Sequence, residues 1–172
     1  MNRFDNSLSL KGLFSGDNRK PTLILLLTPF LLTTFKYYGS QSFYLNHFAS
    51  SVALFESAEM AAEYYVYLSS FILLGVVPFL IIKFVFREPM SSYGLGFGDW
   101  KFGLKSFLVL APIMVLSTYP SSKMPQFLAE YPLYKGAGLT AMTFFNHSMS
   151  YLLFYIGWEV FFRGFMQFGL RE

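Results

Sequence analysis

Glu159 and Arg163 are the only charged side chains between Lys135 and Arg171, and they lie four residues apart at the end of a long apolar run. A carboxylate held away from water is a stronger proton acceptor than one in bulk solvent, and a neighbouring guanidinium keeps it ionised and oriented. Such a pair could activate a water or polarise a bond. The run from Thr143 reads TFFNHSMSYLLFYIGWEVFFRGFMQFGL, in which His147, Tyr151, Tyr155, Glu159 and Arg163 recur every four residues. Four residues advance a helix by about 400°, so neighbours in this series share a face while its ends drift apart. Glu159 and Arg163 can touch. His147 stands about 18 Å from Glu159 along the axis and cannot complete a site with it on one helix. The plainer alternative is an i, i+4 ion pair at a membrane interface with both side chains reaching toward water, and a hydrogen-bonded pair of Asn146 with His147 near the other end.

The elements that must carry these residues are set by composition. Of 172 residues 54% are hydrophobic and only 13% charged, against about 25% charged in soluble domains. A water-soluble globule is excluded on that ground. The charges are also clustered, leaving Pro21–Phe35, Tyr64–Ile82, Ser106–Ser122 and Gly136–Trp158 without any Asp, Glu, Lys or Arg. A spanning helix needs about 20 mostly apolar residues, so the chain is expected to be an all-α membrane protein of about four transmembrane helices, part of a larger helical bundle. The expected spans are 21–38, 64–86, 102–119 and 136–170, after a cytoplasmic segment 1–20. Pro29, Pro78 and Pro112 predict kinks, which neighbouring helices or water can accommodate.

The uncharged stretch Tyr37–Phe55 carries Ser40, Gln41, Ser42, Asn46, His47, Ser50 and Ser51. It reads as an interfacial or external segment, with Phe43, Tyr44 and Phe48 in the headgroup zone. Arg19 and Lys20 before the first apolar run resemble the start of a signal peptide, but Thr33-Thr34-Phe35-Lys36 offers no small-residue cleavage site, which favours an uncleaved span. Arg3, Lys11, Arg19 and Lys20, with Lys83, Arg87, Lys101 and Lys105, outnumber Lys36, Lys123 and Lys135. By the positive-inside rule the N-terminus is cytoplasmic, and Arg163 and Arg171 return there. A multi-pass protein of the bacterial cytoplasmic membrane is expected, with the bilayer as partner. The net charge of +3 follows from this pattern and calls for no nucleic acid. With no cysteine, disulfides, cysteine catalysis and thiolate metal sites are excluded.

Two further patterns read as structural. Glu56, Glu59 and Glu63 recur at helical spacing before the second span; they suit a solvated first helical turn better than a cation site. The string Tyr93-Gly-Leu-Gly-Phe-Gly-Asp-Trp100 fails as a nucleotide fingerprint, since its third glycine comes one residue early and no βαβ unit surrounds it. It reads as a flexible turn leading into an interfacial segment anchored by Trp100 and Lys101.

The context of the charged pair is more specific than the pair. Gly157-Trp-Glu-Val-Phe-Phe-Arg-Gly-Phe165 resembles the first motif, E-E-x-x-x-R, of the CAAX protease and bacteriocin-processing (CPBP, or Abi) family of intramembrane endopeptidases. It falls in the fourth expected span, where that family tends to carry it, and the YGLGFGDWK loop is similar to the family's interspan loop. The resemblance implies an intramembrane hydrolase, a metalloprotease in some descriptions, in which motif glutamates and two later histidine motifs, F-x-x-x-H and H-x-x-x-N/D, activate a water against a peptide bond. It implies Glu159 as base or polarising carboxylate and Arg163 as its partner, with Gly164 admitting another helix. A peptide or protein substrate is implied for the full-length parent, and so is a divalent metal such as zinc.

Two departures stand beside it. Trp158 occupies the position of the family's first glutamate, and neither histidine motif follows before Glu172; His47 and His147 both precede the motif and do not fit its pattern. The expectation is therefore an N-terminal fragment of a CPBP-type protein that does not itself cut peptides. The alternative is a non-catalytic membrane scaffold or immunity-type protein of the same fold. A transporter reading, supported by the prolines and His147, is a distant third.

Overall fold

The computed structural model describes residues 10–48, 57–96, 98–131 and 135–171, and among them every regular element is helical. Helix α1 runs Arg19–Tyr38. Thr28 and Thr34 each turn their hydroxyl back to a carbonyl one turn earlier, Ile24 O and Phe30 O, at 2.8 Å, which satisfies them inside an apolar helix. At Gly39 the chain bends by 51° and Ser40 caps a short helix α2, Gln41–His47, by accepting from Phe43 N. The expected interfacial segment is thus helical over its described part. Residues 49–56, Glu56 included, lie outside the described residues.

Helix α3 covers Ala58–Phe86. It begins six residues earlier than hydropathy predicts because Ser57 accepts from Met60 N and supplies the N-cap, a role for which serine is among the best residues. Two stretches, Phe71–Val76 and Ile81–Phe86, wind as π-helix on either side of Val77–Leu80, which contains Pro78. A proline removes a backbone donor and crowds the preceding turn; widened turns on both sides let the helix continue through it. Arg87 then turns into the left-handed region at φ 57° and ends the helix.

Helix α4, Trp100–Thr118, starts at Asp99, whose carboxylate accepts from Phe102 N at 3.0 Å. Pro112 lies inside it. A short helix α5 follows at Pro125–Glu130. Helix α6, Ala141–Glu159, passes without a break into a π-helical segment at Val160–Phe168.

Ala58–Phe86 and Trp100–Lys123 are each long and apolar enough to cross a membrane, and α1 with α2 makes a third crossing if the bent pair is one span. The fourth expected span, carried by α6 and its π-helical continuation, is not among these; Asn146, His147, Glu159, Arg163 and Gln167 interrupt its apolar run. The chain therefore has two or three candidate membrane helices of this kind among the described residues.

The chain forms two compact units, residues 1–95 with 148–172, and residues 96–147. The first has a core in which Ile24, Leu31, Leu74, Ile82, Tyr93, Phe161 and Phe165 pack together. A smaller cluster joins Tyr44 of α2 to Ala61 and Ala62 of α3. In the second unit no residue of α4 is buried.

Candidate functional site

Glu159 is the last residue of α6 and Arg163 lies in the π-helical segment that continues it. Arg163 Nη1 lies 3.0 Å from Glu159 Oε2 as an i, i+4 ion pair, and both side chains are more than half exposed. The opposite face is the anchored one: Phe161, Gly164 and Phe165 are buried, and Phe165 stacks at 6.2 Å on Phe86 of α3. The sequence-predicted pair is brought together, on the side of the helix turned away from the core.

Two glycines place this helix. A Cβ on Gly157 would lie 2.6 Å from Ser70 O and 2.9 Å from Phe71 Cα, and one on Gly75 would lie 3.2 Å from Gly157 Cα. The crossing of α6 and α3 is thus a backbone-to-backbone approach, the way membrane helices pack when lipid is as apolar as their side chains. Gly164, expected to admit another helix, instead faces Tyr93 O and Leu95 of the loop after α3. Trp158, at the position of the resembled motif's first glutamate, stacks between Phe154 at 5.5 Å and Phe162 at 4.6 Å.

His147 is buried at 8% exposure and belongs to the second unit, whereas Glu159 and Arg163 belong to the first. Along the four-residue series, the hydroxyls of Tyr151 and Tyr155 are 3.3 Å apart, and the Tyr67 ring lies 5.2 Å from that of Tyr151.

The acidic series at the start of α3 departs from the expected solvated turn. Glu59 is exposed, but Glu63 is 5% exposed. Gln41 of α2 donates to its carboxylate, with Tyr67 one turn along beside it. Burial of a carboxylate is costly unless donors satisfy it, and the bend after α1 is what supplies Gln41. A hint was available in Ala61-Ala62-Glu63-Tyr64, where the glutamate adjoins an uncharged run with a tyrosine at i+4.

Sequence reasoning missed a second cluster altogether. Lys20 Nζ lies 2.7 Å from Glu88 Oε2, and Tyr93 Oη donates to the same oxygen at 2.6 Å. Burial raises the Glu88 carboxyl, but hydrogen bonds from Lys20 and Tyr93 and the charge of Lys20 outweigh it and hold the group below the usual carboxylate range. Burial, and then Glu88, push the Tyr93 phenol well up. The available signal was that Glu88 is the one acid between Glu63 and Asp99, in a basic flank. The glycine string is divided: Gly94, at φ 68°, closes a 3₁₀ turn, Met90–Tyr93, whereas among the described residues nothing would lie within 4 Å of a Cβ on Gly96 or Gly98. Phe97 lies outside the described residues.

Among the described residues no three His, Cys, Asp or Glu side chains come together as a metal would require, and Glu159 already faces a guanidinium. The described residues do not by themselves compose a centre for the divalent metal that the resemblance implies. What the arrangement can do is present one oriented carboxylate, paired with a cation, on an unpacked helix face. The chain matches no protein-family model, no curated protein and no solved structure.

Proposed function

We propose that the chain is an intramembrane endopeptidase of the CPBP type, in which Glu159 acts as base or polarising carboxylate toward a water and Arg163 holds it ionised. The observation that carries this reading is the display of the Glu159–Arg163 pair, at 3.0 Å, on the free side of a helix whose other side is fixed by Phe161 and Phe165. An exposed ion pair adds about 0–1 kcal/mol to stability, and ionisable residues inside a membrane helix are costly enough to mark function. In this reading the N-terminus is cytoplasmic, four segments cross a bacterial cytoplasmic membrane, and the substrate is a peptide or protein that reaches the free face. The bilayer accounts for the apolar surface and nucleic acid has no part.

The second reading is a non-catalytic scaffold or immunity-type protein. Trp158 favours it, because it stands at the position of the resembled motif's first glutamate and its ring lies between those of Phe154 and Phe162.

The test begins by reading the locus past the codon for Glu172. Two further hydrophobic segments bearing F-x-x-x-H and H-x-x-x-N/D are expected, and the protein so encoded, in nanodiscs, should cleave a peptide library and lose that activity in Glu159→Gln. A stop codon followed by unrelated sequence, with stable accumulation of the 172-residue chain, would move the assignment to the scaffold.

A further inference from the structure

We propose that Lys20, Glu88 and Tyr93 are positioning residues that set the rotation of the helix carrying Glu159 and Arg163, acting as an ionic latch on the loop behind it. The inference rests on the reading of that pair as the functional one. Glu88 Oε2 receives Lys20 Nζ and Tyr93 Oη together, at 2.7 and 2.6 Å, and Lys20 Nζ also stands 4.9 Å over the Tyr93 ring. The start of α1, the residue two beyond the end of α3 and the following 3₁₀ turn are thereby tied at one point. A carboxylate accepting two charge-assisted or phenolic donors fixes both of them more tightly than a neutral acceptor would.

Tyr93 transmits the tie. Its hydroxyl is in the latch, while the residue is 1% exposed and its ring belongs to the same core as Phe161 and Phe165. The next residues bear on the same helix face: a Cβ on Gly164 would lie 3.5 Å from Tyr93 O and 3.6 Å from Leu95, and one on Gly94 would lie 2.9 Å from the Phe168 ring. Turning Arg163 toward the core would take Gly164 and Phe168 off these contacts and Phe161 and Phe165 out of the core. A π-helical stretch needs such a backing, since its backbone departs from the regular i, i+4 ladder and such departures concentrate at functional sites.

The latch is acid-sensitive. The charged or titratable groups at the joined ends are Asp17 just before α1, Arg19 and Lys20 in its first turn, Lys83 in the last turn of α3, Arg87 and Glu88 just after it, and Tyr93 in the turn; Arg163 is on the far face of its helix. Because the carboxyl of Glu88 titrates below its ordinary value, the latch is closed above that ordinary value and opens as the pH falls through the lowered one.

The test uses the full chain in nanodiscs, with nitroxides on cysteines introduced at the exposed positions Leu68 and Gln167; the chain has no other cysteine. The inter-label distance distribution should be narrow at about pH 7 and about twofold wider at about pH 3. In Glu88→Gln and in Tyr93→Phe it should be wide at neutral pH, and Glu88→Gln should lose the pH response. A wild-type width that ignores pH, or a Glu88→Gln distribution identical to wild type at both values, overturns the latch. If Glu88→Gln does not fold, the wild-type titration and Tyr93→Phe decide it alone. Glu159→Gln should leave the distribution unchanged, so a failure of the protease reading, seen as cleavage that survives this substitution, is distinguishable from a failure of the latch.

Discussion

Helices α3 and α4 are each long and apolar enough to cross a membrane, and they are built on opposite terms. Tyr67, Leu74 and Ile82 of α3 are essentially fully buried, and at Gly75 its backbone nearly touches that of Gly157. In α4 no side chain is buried; Phe107, Leu108, Val115 and Leu116 are all more than half exposed. Hydrophobicity makes both helices candidates for a bilayer, but it does not decide which is packed against protein, because lipid is an equally good apolar partner. What distinguishes α3 is its small and polar residues. Gly75, Ala61 and Ala62 let other elements approach, and Glu63 binds one of them.

Substitutions should expose this difference, and the largest effect belongs to the core. Phe161→Ala should cost about 3 kcal/mol or more, the low end for a buried phenylalanine, since the cavity term survives in lipid while part of the transfer term does not. Phe107→Ala in α4 should stay within about 0.5 kcal/mol, both read as shifts in chemical denaturation in micelles. Next comes Gly157→Ala, whose new methyl meets the Ser70 and Phe71 backbone and should cost about 1–3 kcal/mol. Gly103→Ala, with nothing within 4 Å, should be silent. Should both glycine substitutions cost alike, the contrast between the two helices fails.

Smaller effects concern the polar ties. Glu63→Ala leaves Gln41 and Tyr67 facing an apolar void and should cost about 1–3 kcal/mol, with faster proteolysis after α2; Glu63→Gln, which keeps an acceptor, should cost less. The smallest effect is expected at the exposed pair itself, where Arg163→Ala should change stability by about 0–1 kcal/mol. A large loss there would mean that the pair is structural and would favour the scaffold reading.

These contrasts also mark what could be read in the residues alone. The uncharged gaps located α1, α3, α4 and α6, and the four-residue interval predicted that Glu159 and Arg163 meet, because both are local properties of chain and helix. The starts of α3 and α4 moved by the reach of Ser57 and Asp99, which hydropathy does not register. Glu63 reads as solvated in the sequence because its partner Gln41 arrives through a bend after α1, and the Lys20–Glu88 pair joins residues 68 apart in sequence. The π-helical turns were not legible either, since apolar residues at these spacings fit an ordinary helix equally well. Hydropathy alone does not separate α3 from α4, so the face that α6 buries had to come from packing.

The most direct measurement is a nitroxide scan of residues 157–168, one cysteine at a time in a chain that has none of its own, with mobility read from the spectrum at each position. The account predicts immobile labels, or loss of folding, at 157, 161, 164 and 165, and mobile labels at 159, 163 and 167. A scan with 159 and 163 immobile and 161 and 165 mobile would show the helix facing the other way, and the display of Glu159 and Arg163 on a free face would be contradicted.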